Sequence, residues 1–316
     1  MEKHVLALKT LGHMERLRIL ALLSHGELTV SELVQILELS QPRITQYIIS
    51  LEAAGIIERL KEGSWVFSRI RRGHEAVSAL VATTLATLPQ NDLILMSDLK
   101  ALEEVRAERS KAAEAFFANV ANDRSQLGDE YLPQADIEAK MQGLLGEGPF
   151  DYMVDLGTGT GRMLEVFSGR IIRGSGIDNN SQMLKVARSK LADKEHIAVR
   201  QGDILSTPLE DAVSDLVSLH QVLHYLDDPQ AAIMEAARLL KPSGQLIIVD
   251  YEDHDLEEFR TEFAHRRLGF SDRDIGDWLF SAGLSLTHSD RVVTQADRPD
   301  VRIWIGNFAA QNQQKA

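Results

Sequence analysis

The chain has 316 residues, 44% of them apolar and 26% charged, a balance typical of a soluble globular protein with about two domains. It contains no cysteine, which excludes disulfides, thiolate metal sites and a cysteine nucleophile. No apolar run approaches the roughly 18 residues of a membrane span, and the opening MEKHVLALKT has no signal-peptide pattern, so we expect a cytoplasmic protein with no membrane partner.

The net charge of −13 is unevenly distributed along the chain. Residues 1–80 carry ten Lys or Arg against nine Asp or Glu, a net charge of +1. Of the 34 basic and 47 acidic residues in total, 24 and 38 therefore lie in the remainder, which has a net charge of −14. Because an acidic surface repels phosphate backbones, any contact with nucleic acid is expected in the first 80 or so residues.

The first predicted elements are helices. HMERLRILALLS places Leu17, Leu20 and Leu23 at helical spacing, and GELT follows as a turn. Thr29 and Glu32 then form a capping box that opens a short second helix, VSELVQILEL.

The following helix, SQPRITQYIISLEAAG, begins at Ser40 and ends at Gly55. Its apolar residues Ile44, Ile48 and Leu51 fall on one stripe, which leaves polar side chains on the other. Two short helices joined by a tight turn are typical of a helix-turn-helix, whose second helix reads base edges from its N-terminal end. The residues expected to face DNA are Ser40, Gln41, Arg43, Thr45, Gln46 and Ser50.

A charged hairpin follows this helix. Two β-rich runs, IIERLK and SWVFSRI, flank a turn at Glu62-Gly63. Arg59, Lys61 and Arg69 decorate the hairpin, as on a wing that contacts phosphate groups. The alternative is that these polar side chains are merely solvated, but the order of three helices and a charged hairpin favours DNA binding.

These segments resemble the ArsR family of bacterial winged-helix repressors, through RLRILALLSHGELTVSEL, LSQPRITQYIISLEAAGII and EGSWVFSRI. The resemblance implies a homodimer that reads an inverted repeat in double-stranded operator DNA, with terminal helices forming the dimer contact. Arsenic-sensing members carry Cys-x-Cys where this chain has Thr29-Val30-Ser31. Hydroxyl groups cannot replace thiolates for a soft ion, so we expect no metal there.

The next segment reads as helical. HEAVSALVATTLATL predicts a helix that ends at Pro89, and Leu95, Leu99 and Leu102 mark a longer one. A spacer that covers its neighbour and a dimer contact are both compatible with this pattern, and the family resemblance favours the dimer contact.

From residue 152 onward, short apolar runs alternate with helical patterns, which predicts a doubly wound, mostly parallel sheet. The predicted strands are YMVDL, GSGID, IAVRQGD, DLVSLH and QLIIVDY, and two closing strands, LSLTHSDRVV and VRIWIGNFAA, bring the sheet to seven. Ligands of such sheets bind beyond the carboxyl ends of the strands.

The first strand runs into the loop DLGTGTGRML, whose glycines Gly157, Gly159 and Gly161 follow the pattern G-x-G-x-G. The fingerprint of dinucleotide sites requires its third glycine one place later, at Arg162. The loop therefore favours a ligand other than NAD.

Two carboxylates near this loop limit the choice of ligand further. Asp155, beside the loop, would repel a pyrophosphate but pair with an ammonium group. Asp178 ends the second strand, where an acidic side chain can bind both ribose hydroxyls. A nucleoside with an amino-acid tail and no phosphate satisfies both residues, and this describes S-adenosylmethionine or S-adenosylhomocysteine.

This half resembles the class I methyltransferases that use S-adenosylmethionine, through VDLGTGTGRML, GIDNNSQML, QGDILSTPL, DLVSLHQVLHYLDDP and LLKPSGQLIIVD. The resemblance implies that Met183 packs on the adenine and Asp203 accepts from its amino group, although Met183 could be core and Asp203 a helix cap. The implied cofactor-binding residues are Asp155, Gly157, Thr158, Gly159, Gly161, Asp178, Asn179, Met183, Gly202, Asp203, Ile204 and His220.

The expected fold is thus an α+β winged helix-turn-helix domain followed by an α/β Rossmann-like class I methyltransferase domain with a seven-stranded, mostly parallel sheet. We predict a DNA-binding domain over residues 1–88, a helical linker and dimerisation segment over 89–130, and a methyltransferase-like domain over 131–316.

Catalysis is less clearly indicated. His220, His224, Tyr251 and His265 are candidate bases near the pocket, and each could equally be structural. Arsenic methylation would require thiolates, and no N-P-P-Y motif supports methylation of DNA or glutamine amides.

Two hypotheses stay open. The chain is either a repressor whose second half senses S-adenosylmethionine or S-adenosylhomocysteine, or an active methyltransferase on a small molecule whose DNA-binding half regulates its own operon. Fused chains of this kind are associated with methionine-cycle regulation.

Overall fold

The computed structural model describes residues 2–62, 65–71, 75–89, 91–120, 132–146, 148–294 and 298–308. The chain forms two compact units, Met1–Ala112 and Ala113–Ala316, and the division falls inside the segment predicted as a linker. Two predicted features lie outside the described residues. They are the turn at Gly63 and the end of the predicted linker from residue 121.

The first unit is mainly helical with a small sheet. Its elements are α1 (Glu2–Leu11), α2 (Met14–Leu23), β1 (Leu28–Thr29), α3 (Val30–Leu37), α4 (Gln41–Ala53), β2 (Ile57–Glu62), β3 (Trp65–Ile70) and α5 (Glu75–Thr87), and α6 (Leu93–Val120) begins in it. The helix-turn-helix pair α3–α4 and the hairpin β2–β3 confirm the predicted winged helix. Helix α1 was not predicted, and the stretch predicted as a turn contains β1.

Local capping explains where α3 begins. The Thr29 hydroxyl accepts from the Glu32 backbone N–H at 3.3 Å, and the Glu32 carboxylate accepts from the Thr29 N–H at 2.8 Å. This reciprocal pair is the predicted capping box. Strand β1 leads directly into it and pairs with β3, so the sheet order is β1-β3-β2, all antiparallel.

The second unit alternates strands and helices. Its elements are α7 (Gln134–Leu144), β4 (Phe150–Leu156), α8 (Arg162–Phe167), β5 (Ile171–Asp178), α9 (Ser181–Lys190), β6 (Ile197–Gln201), β7 (Ser214–His220), α10 (Pro229–Leu239), β8 (Leu240–Tyr251), α11 (Glu258–Glu262), α12 (Asp272–Ser281), β9 (Leu284–Val292) and β10 (Val301–Phe308). Among the described helices of both units, none is long and apolar enough to cross a membrane.

The seven strands of this unit form one sheet in the order β6-β5-β4-β7-β8-β10-β9. Strands β6, β5, β4, β7 and β8 are parallel, whereas β10 runs antiparallel to both β8 and β9. This confirms the predicted seven-stranded, mostly parallel sheet. The chain order reverses between β4 and β7, so their carboxyl ends mark the crevice where doubly wound sheets bind ligands.

Apolar side chains cover both faces of the sheet. Along β4, Val154 and Leu156 belong to one buried cluster and Met153 belongs to another. Successive side chains of a strand point to opposite faces, so the two clusters lie on opposite faces of the sheet. Burial on both faces is the reason why these strands read as continuous apolar runs rather than alternating ones.

Candidate functional site

Helix α4 presents a polar face in the first unit. Ile44, Ile48 and Leu51 are buried, as predicted. The predicted DNA-facing residues of α4 and its N-cap fall on the other side, where Ser40, Gln41, Arg43 and Gln46 are exposed and Thr45 and Ser50 are half-buried.

Two of the predicted DNA-contacting arginines pair with neighbouring side chains. Arg43 Nε donates to the Tyr47 hydroxyl at 3.0 Å, and its Nη2 lies 3.5 Å from Glu15 Oε1. Arg59 pairs with Glu52 at 2.7 Å. These pairs are largely exposed, and exposed ion pairs contribute little free energy, so both guanidinium groups are free to exchange partners for phosphates or bases.

The third arginine is placed differently. Arg69 is only 13% exposed, and it pairs with Glu58 at 2.7 Å and with Glu27 at 3.5 Å. This geometry gives Arg69 a part in holding the hairpin together, which makes it the least favourable of the predicted phosphate contacts. Lys61 is exposed on β2.

In the second unit, the glycine loop follows β4 and turns sharply into α8. Gly157 has a φ of +75°, and a Cβ at that position would lie 2.9 Å from the Val222 Cβ and closer still to one of its methyl groups. Gly159 has a φ of +51° but faces open space. Gly161, with a φ of +81°, is the N-cap of α8. Glycine is required at the first position by packing as well as by backbone conformation.

Asp155 lies at the carboxyl end of β4, opposite Ser218 of β7 in the sheet. Its Oδ1 accepts from the Ser218 hydroxyl at 2.6 Å, whereas its Oδ2 is buried without a hydrogen-bond partner among the described residues. Burial raises the pKa of Asp155 to about 6, against the Ser218 hydroxyl and the nearby Thr158 hydroxyl, which lower it; the Thr158 hydroxyl does not reach hydrogen-bond geometry with Oδ2. The nearby Asp178 carboxylate raises the pKa further.

Asp178 ends β5 and helps to hold the glycine loop. One carboxylate oxygen accepts from the Gly159 N–H and the other from the Asn180 N–H, each at 2.8 Å. Burial raises the pKa of Asp178, and these two hydrogen bonds oppose that shift. A carboxylate has about four acceptor positions, so both oxygens can accept further bonds from a ligand.

The remaining predicted cofactor residues lie around the ends of β5 and β6. Met183 and Ile204 are buried, and Thr158 is buried beside Gly176 of β5. Asp203 is exposed and accepts from the Leu205 N–H at 2.9 Å. Gly202 donates its N–H to the Asp178 carbonyl, and Asn179 is exposed, with its carbonyl accepting from Gln201.

The four predicted catalytic candidates lie at or beyond the carboxyl ends of β7 and β8. His224, in a 3₁₀ turn at Leu223–Tyr225, pairs through Nδ1 with Asp250 Oδ1 at 2.6 Å. His265 stacks on the His224 ring, with centroids 3.9 Å apart. The Tyr251 ring lies 5.3 Å from both imidazoles.

His220 ends β7 and was also predicted to contact the cofactor. Its Nε2 is buried with no hydrogen-bond partner in the described part of the chain. Burial lowers the pKa of His220 to about 4, although Asp250 raises it, so the ring is neutral near pH 7.

Sequence reasoning missed three partners of these residues. Ser218, Val222 and Asp250 contact Asp155, Gly157 and His224 respectively. Only Asp250 carried a signal that we could have used, because it is an acidic residue at the carboxyl end of a predicted buried strand. Within the described ranges, no three His, Asp or Glu side chains are grouped to hold a metal ion.

Two protein families match the chain. The family described as bacterial regulatory proteins of the arsR family matches residues 14–59, and the methyltransferase domain family matches residues 154–248. The chain therefore joins an ArsR-family helix-turn-helix to a methyltransferase domain. The second match runs from β4 to β8 and so includes the glycine loop.

Individual relatives cover the methyltransferase half only in part. The methyltransferase YcgJ of Bacillus subtilis is 32% identical over 112 residues, which are 34% of this chain and 44% of that protein. The malonyl-[acyl-carrier protein] O-methyltransferase of Hahella chejuensis is 31% identical over 155 residues, 48% of this chain and 53% of that protein. The chain thus spans about half the length of these relatives.

A solved structure shows the same fold. The N-methyltransferase NodS of Bradyrhizobium japonicum, crystallised with S-adenosyl-L-homocysteine, superposes with a TM-score of 0.52 and 19% sequence identity. The similarity covers 63% of this chain and 97% of NodS. At this identity the similarity establishes the fold alone.

Proposed function

We propose that this protein is a transcriptional regulator whose methyltransferase domain binds S-adenosylmethionine or S-adenosylhomocysteine as an effector. The observation that carries the ligand assignment is the buried Asp155 Oδ2, which has no partner among the described residues. An oxygen in this state is a strong acceptor for a cationic donor, and a ligand ammonium group beside the glycine loop supplies one.

The other residues of the pocket fit the rest of such a ligand. Asp178 has acceptor capacity left for ribose hydroxyls, and the open space at Gly159 lets a ligand approach the backbone. Met183 and Ile204 offer apolar surface for an adenine ring, and Asp203 offers a carboxylate to its amino group. NodS, in the same fold, was crystallised with S-adenosyl-L-homocysteine, which supports the same ligand class here.

DNA binding is assigned to the first unit. The ArsR-family match runs from α2 into β2, Arg43 and Gln46 are exposed on the face of α4 away from its buried residues, and Gln41 is exposed at its N-terminus. Arg and Gln can both hydrogen-bond base edges in the major groove. We expect operator DNA as the partner, with methionine-cycle genes as targets.

A homodimer completes this proposal, because an inverted repeat requires two copies of α4 related by two-fold symmetry. Helix α1 and the start of α6 carry large apolar side chains that this chain leaves exposed, and an exposed apolar patch favours association. These side chains are Val5, Leu6, Leu8, Leu93, Ile94 and Met96. Sedimentation equilibrium of the full chain should give the mass of a dimer, and a monomer would contradict the proposal.

The ligand is tested by calorimetry and the regulation by DNA binding. Both nucleosides are titrated into the full chain, and operator affinity is then measured with and without saturating ligand on a site selected from a random DNA library. We expect a several-fold change in operator affinity, equivalent to a coupling of about 1–3 kcal/mol. Asp155→Asn is the matched control, since it should bind the same DNA without responding to ligand. Unchanged operator affinity at saturating ligand would reject the effector role.

The base contacts are tested at Arg43. Arg43→Ala should cost roughly 1–3 kcal/mol at one base-pair position and relax specificity there. Affinity for variants of the selected operator gives the measurement. A uniform loss across all operators would show that Arg43 contacts phosphate instead.

A second candidate function is methyl transfer to a small molecule, in which bound S-adenosylmethionine supplies an electrophilic methyl group. The buried Asp250–His224 pair at the carboxyl ends of β8 and β7 favours this function, because a carboxylate-oriented imidazole is suited to general-base catalysis.

A further inference from the structure

A cluster of aromatic and imidazole rings lies beyond β7 and β8, and we name it the histidine cluster: His224, Tyr251, His254, Phe259 and His265. Its rings contact one another in a chain. The ring centroids of His224 and His265 are 3.9 Å apart, those of His265 and Phe259 are 5.1 Å apart, and those of Phe259 and His254 are 5.0 Å apart. These five residues are all buried or half-buried.

Three ring nitrogens of the histidine cluster have no hydrogen-bond partner among the described residues. They are His224 Nε2, His254 Nε2 and His265 Nδ1. Nearly all buried polar atoms in proteins are paired, so three such atoms in one cluster indicate a site built for a polar ligand. Burial lowers the pKa of His254 and of His265, which keeps both rings neutral.

The proton on His224 can be placed from its surroundings. Asp250 accepts the backbone N–H groups of Leu223, His224 and Tyr251 in addition to its contact with the ring. Both oxygens of the Asp250 side chain are acceptors in these contacts, as expected for a carboxylate. His224 Nδ1 must therefore be the donor in its contact with Asp250. In the neutral form of this ring the lone pair lies on Nε2, which can accept a proton.

A loop closes over this pair. The chain leaves the sheet after Tyr251 and returns at Phe270, whose N–H donates to the Tyr251 carbonyl at 2.9 Å. The backbone N–H groups of Arg266 and Arg267 donate to the His224 carbonyl, which sets His265 against the His224 ring. A ligand can therefore reach the His224 ring only if this segment moves and His265 gives up its place against it.

We propose that the histidine cluster is the methyl-acceptor site, that its substrate is a neutral phenol, and that His224, oriented by Asp250, removes the phenol proton. This rests on the proposed binding of S-adenosylmethionine. A flat aromatic ring suits a cluster of Tyr251, Phe259 and three imidazoles, since such rings stack with one another. Neutral rings stabilise a cationic amine less well than water does. Asp250, the carboxylate that contacts His224, is already engaged by that ring and by the Tyr251 N–H.

The phenol O–H transfers its proton to His224 Nε2, and Asp250 stabilises the resulting imidazolium. The phenol oxygen forms a bond to the methyl carbon while the carbon–sulfur bond breaks, and that electron pair stays on sulfur. The products are an aryl methyl ether and S-adenosylhomocysteine, and the imidazolium releases its proton to water.

The test uses 7-hydroxycoumarin, a phenol whose excitation spectrum distinguishes the phenol from the phenolate and whose methyl ether is a separate product. In the full chain saturated with S-adenosylhomocysteine, bound probe should show more phenolate than free probe at the same pH. With S-adenosylmethionine, the wild type should form 7-methoxycoumarin. His224→Asn should lower the rate about 100-fold or more, with unchanged calorimetric affinity for S-adenosylhomocysteine.

Asp250→Asn separates proton transfer from structure. An Asn amide that donates to His224 Nδ1 forces the proton onto Nε2, and its oxygen can still accept from the Leu223 and His224 N–H groups, whereas the Tyr251 N–H loses its acceptor. The phenolate signal should therefore disappear, with a loss of stability of about 1–3 kcal/mol from the unpaired Tyr251 N–H and unchanged calorimetric affinity for S-adenosylhomocysteine. His288→Asn, at an exposed histidine of the same unit, is the matched control and should leave both signals at the wild-type level.

Three outcomes would overturn the proposal. Wild-type protein that binds S-adenosylhomocysteine but neither ionises nor methylates 7-hydroxycoumarin would reject the acceptor site. Transfer that persists within twofold in His224→Asn would show that this residue is only structural. Failure of the wild type to bind either nucleoside would instead reject the proposed ligand, and the acceptor site with it.

Discussion

The charge on Asp155 offers a quantitative test of the ligand assignment. Burial raises the pKa of this carboxyl to about 6, so the site without ligand is half protonated near that pH. A ligand ammonium group pairs with the carboxylate and not with the neutral acid. Binding below pH 6 must therefore expel a proton, and affinity falls as the pH falls.

The size of the effect follows from the ionised fraction. With a pKa of about 6, that fraction drops from about nine-tenths at pH 7 to about one-tenth at pH 5. The affinity for S-adenosylhomocysteine should therefore weaken about tenfold, or about 1.4 kcal/mol, over this range. Titration calorimetry at constant ionic strength between pH 5 and pH 7 gives the measurement, and the ammonium group of the ligand stays charged throughout.

Two controls isolate the Asp155 contact. 5′-Methylthioadenosine keeps the ribose and adenine but lacks the amino-acid tail, so its affinity should not follow this pH profile. Asp155→Asn should bind S-adenosylhomocysteine weakly and without the pH dependence. If S-adenosylhomocysteine affinity is constant from pH 5 to pH 7, or if both ligands weaken alike, the pairing of Asp155 with an ammonium group is refuted.

Further variants test the stability of each unit by chemical denaturation. The raised pKa of Asp155 means that the folded chain binds a proton more tightly than the unfolded chain does. Stability therefore falls as the pH rises from about 4 to about 6. Asp155→Asn should then stabilise the ligand-free protein at pH 7 by up to about 3 kcal/mol, with no gain at pH 4. Gly157→Ala should cost about 1–3 kcal/mol through its clash with Val222, beyond the backbone strain, and Val222→Ala in the same chain should recover only some of it, because the Cβ at 2.9 Å remains. Asp98→Ala, which breaks the bidentate pair with Arg18 at 2.6 and 2.7 Å, should cost roughly 3 kcal/mol in the first unit, whereas replacing both residues by leucine should cost much less. Equal stability of wild type and Asp98→Ala would contradict the account of that pair.

The parts of the fold that the sequence predicts are those with a strong local or periodic signal. The parallel strands are apolar without interruption because both faces of the sheet are covered, and the Thr29–Glu32 capping box is complete within four residues. Helix α1 was missed because apolar residues such as Val5, Leu6 and Leu8 are exposed, so its pattern marks no single buried face. Strand β1 was missed because two residues become a strand only through pairing with β3.

The candidate site shows the same division between local and non-local signals. The glycine loop and its carboxylate Asp155 could be predicted from the sequence because they are adjacent in it. The partnership of His224 with Asp250 joins two strand ends and depends on the sheet order. Arg69 was assigned to phosphate, although the hairpin register places it directly opposite Glu58, and that cross-strand pair could have been read from the position of the turn.

Both candidate functions use the same ligand pocket, but only methyl transfer also uses His224. The two functions can therefore be separated by experiment. A sensor requires only that the ligand at Asp155 and the operator at Arg43 change each other's affinity, and this coupling is reciprocal. The proposed phenol methylation requires in addition a proton acceptor beyond β7, which is the role proposed for His224. A His224→Asn chain that still changes its operator affinity on binding S-adenosylhomocysteine, yet transfers no methyl group, would establish both functions in one molecule. Loss of both responses together would mean that His224 supports the pocket itself, because the 3₁₀ turn that carries it also carries the contact of Val222 with the glycine loop.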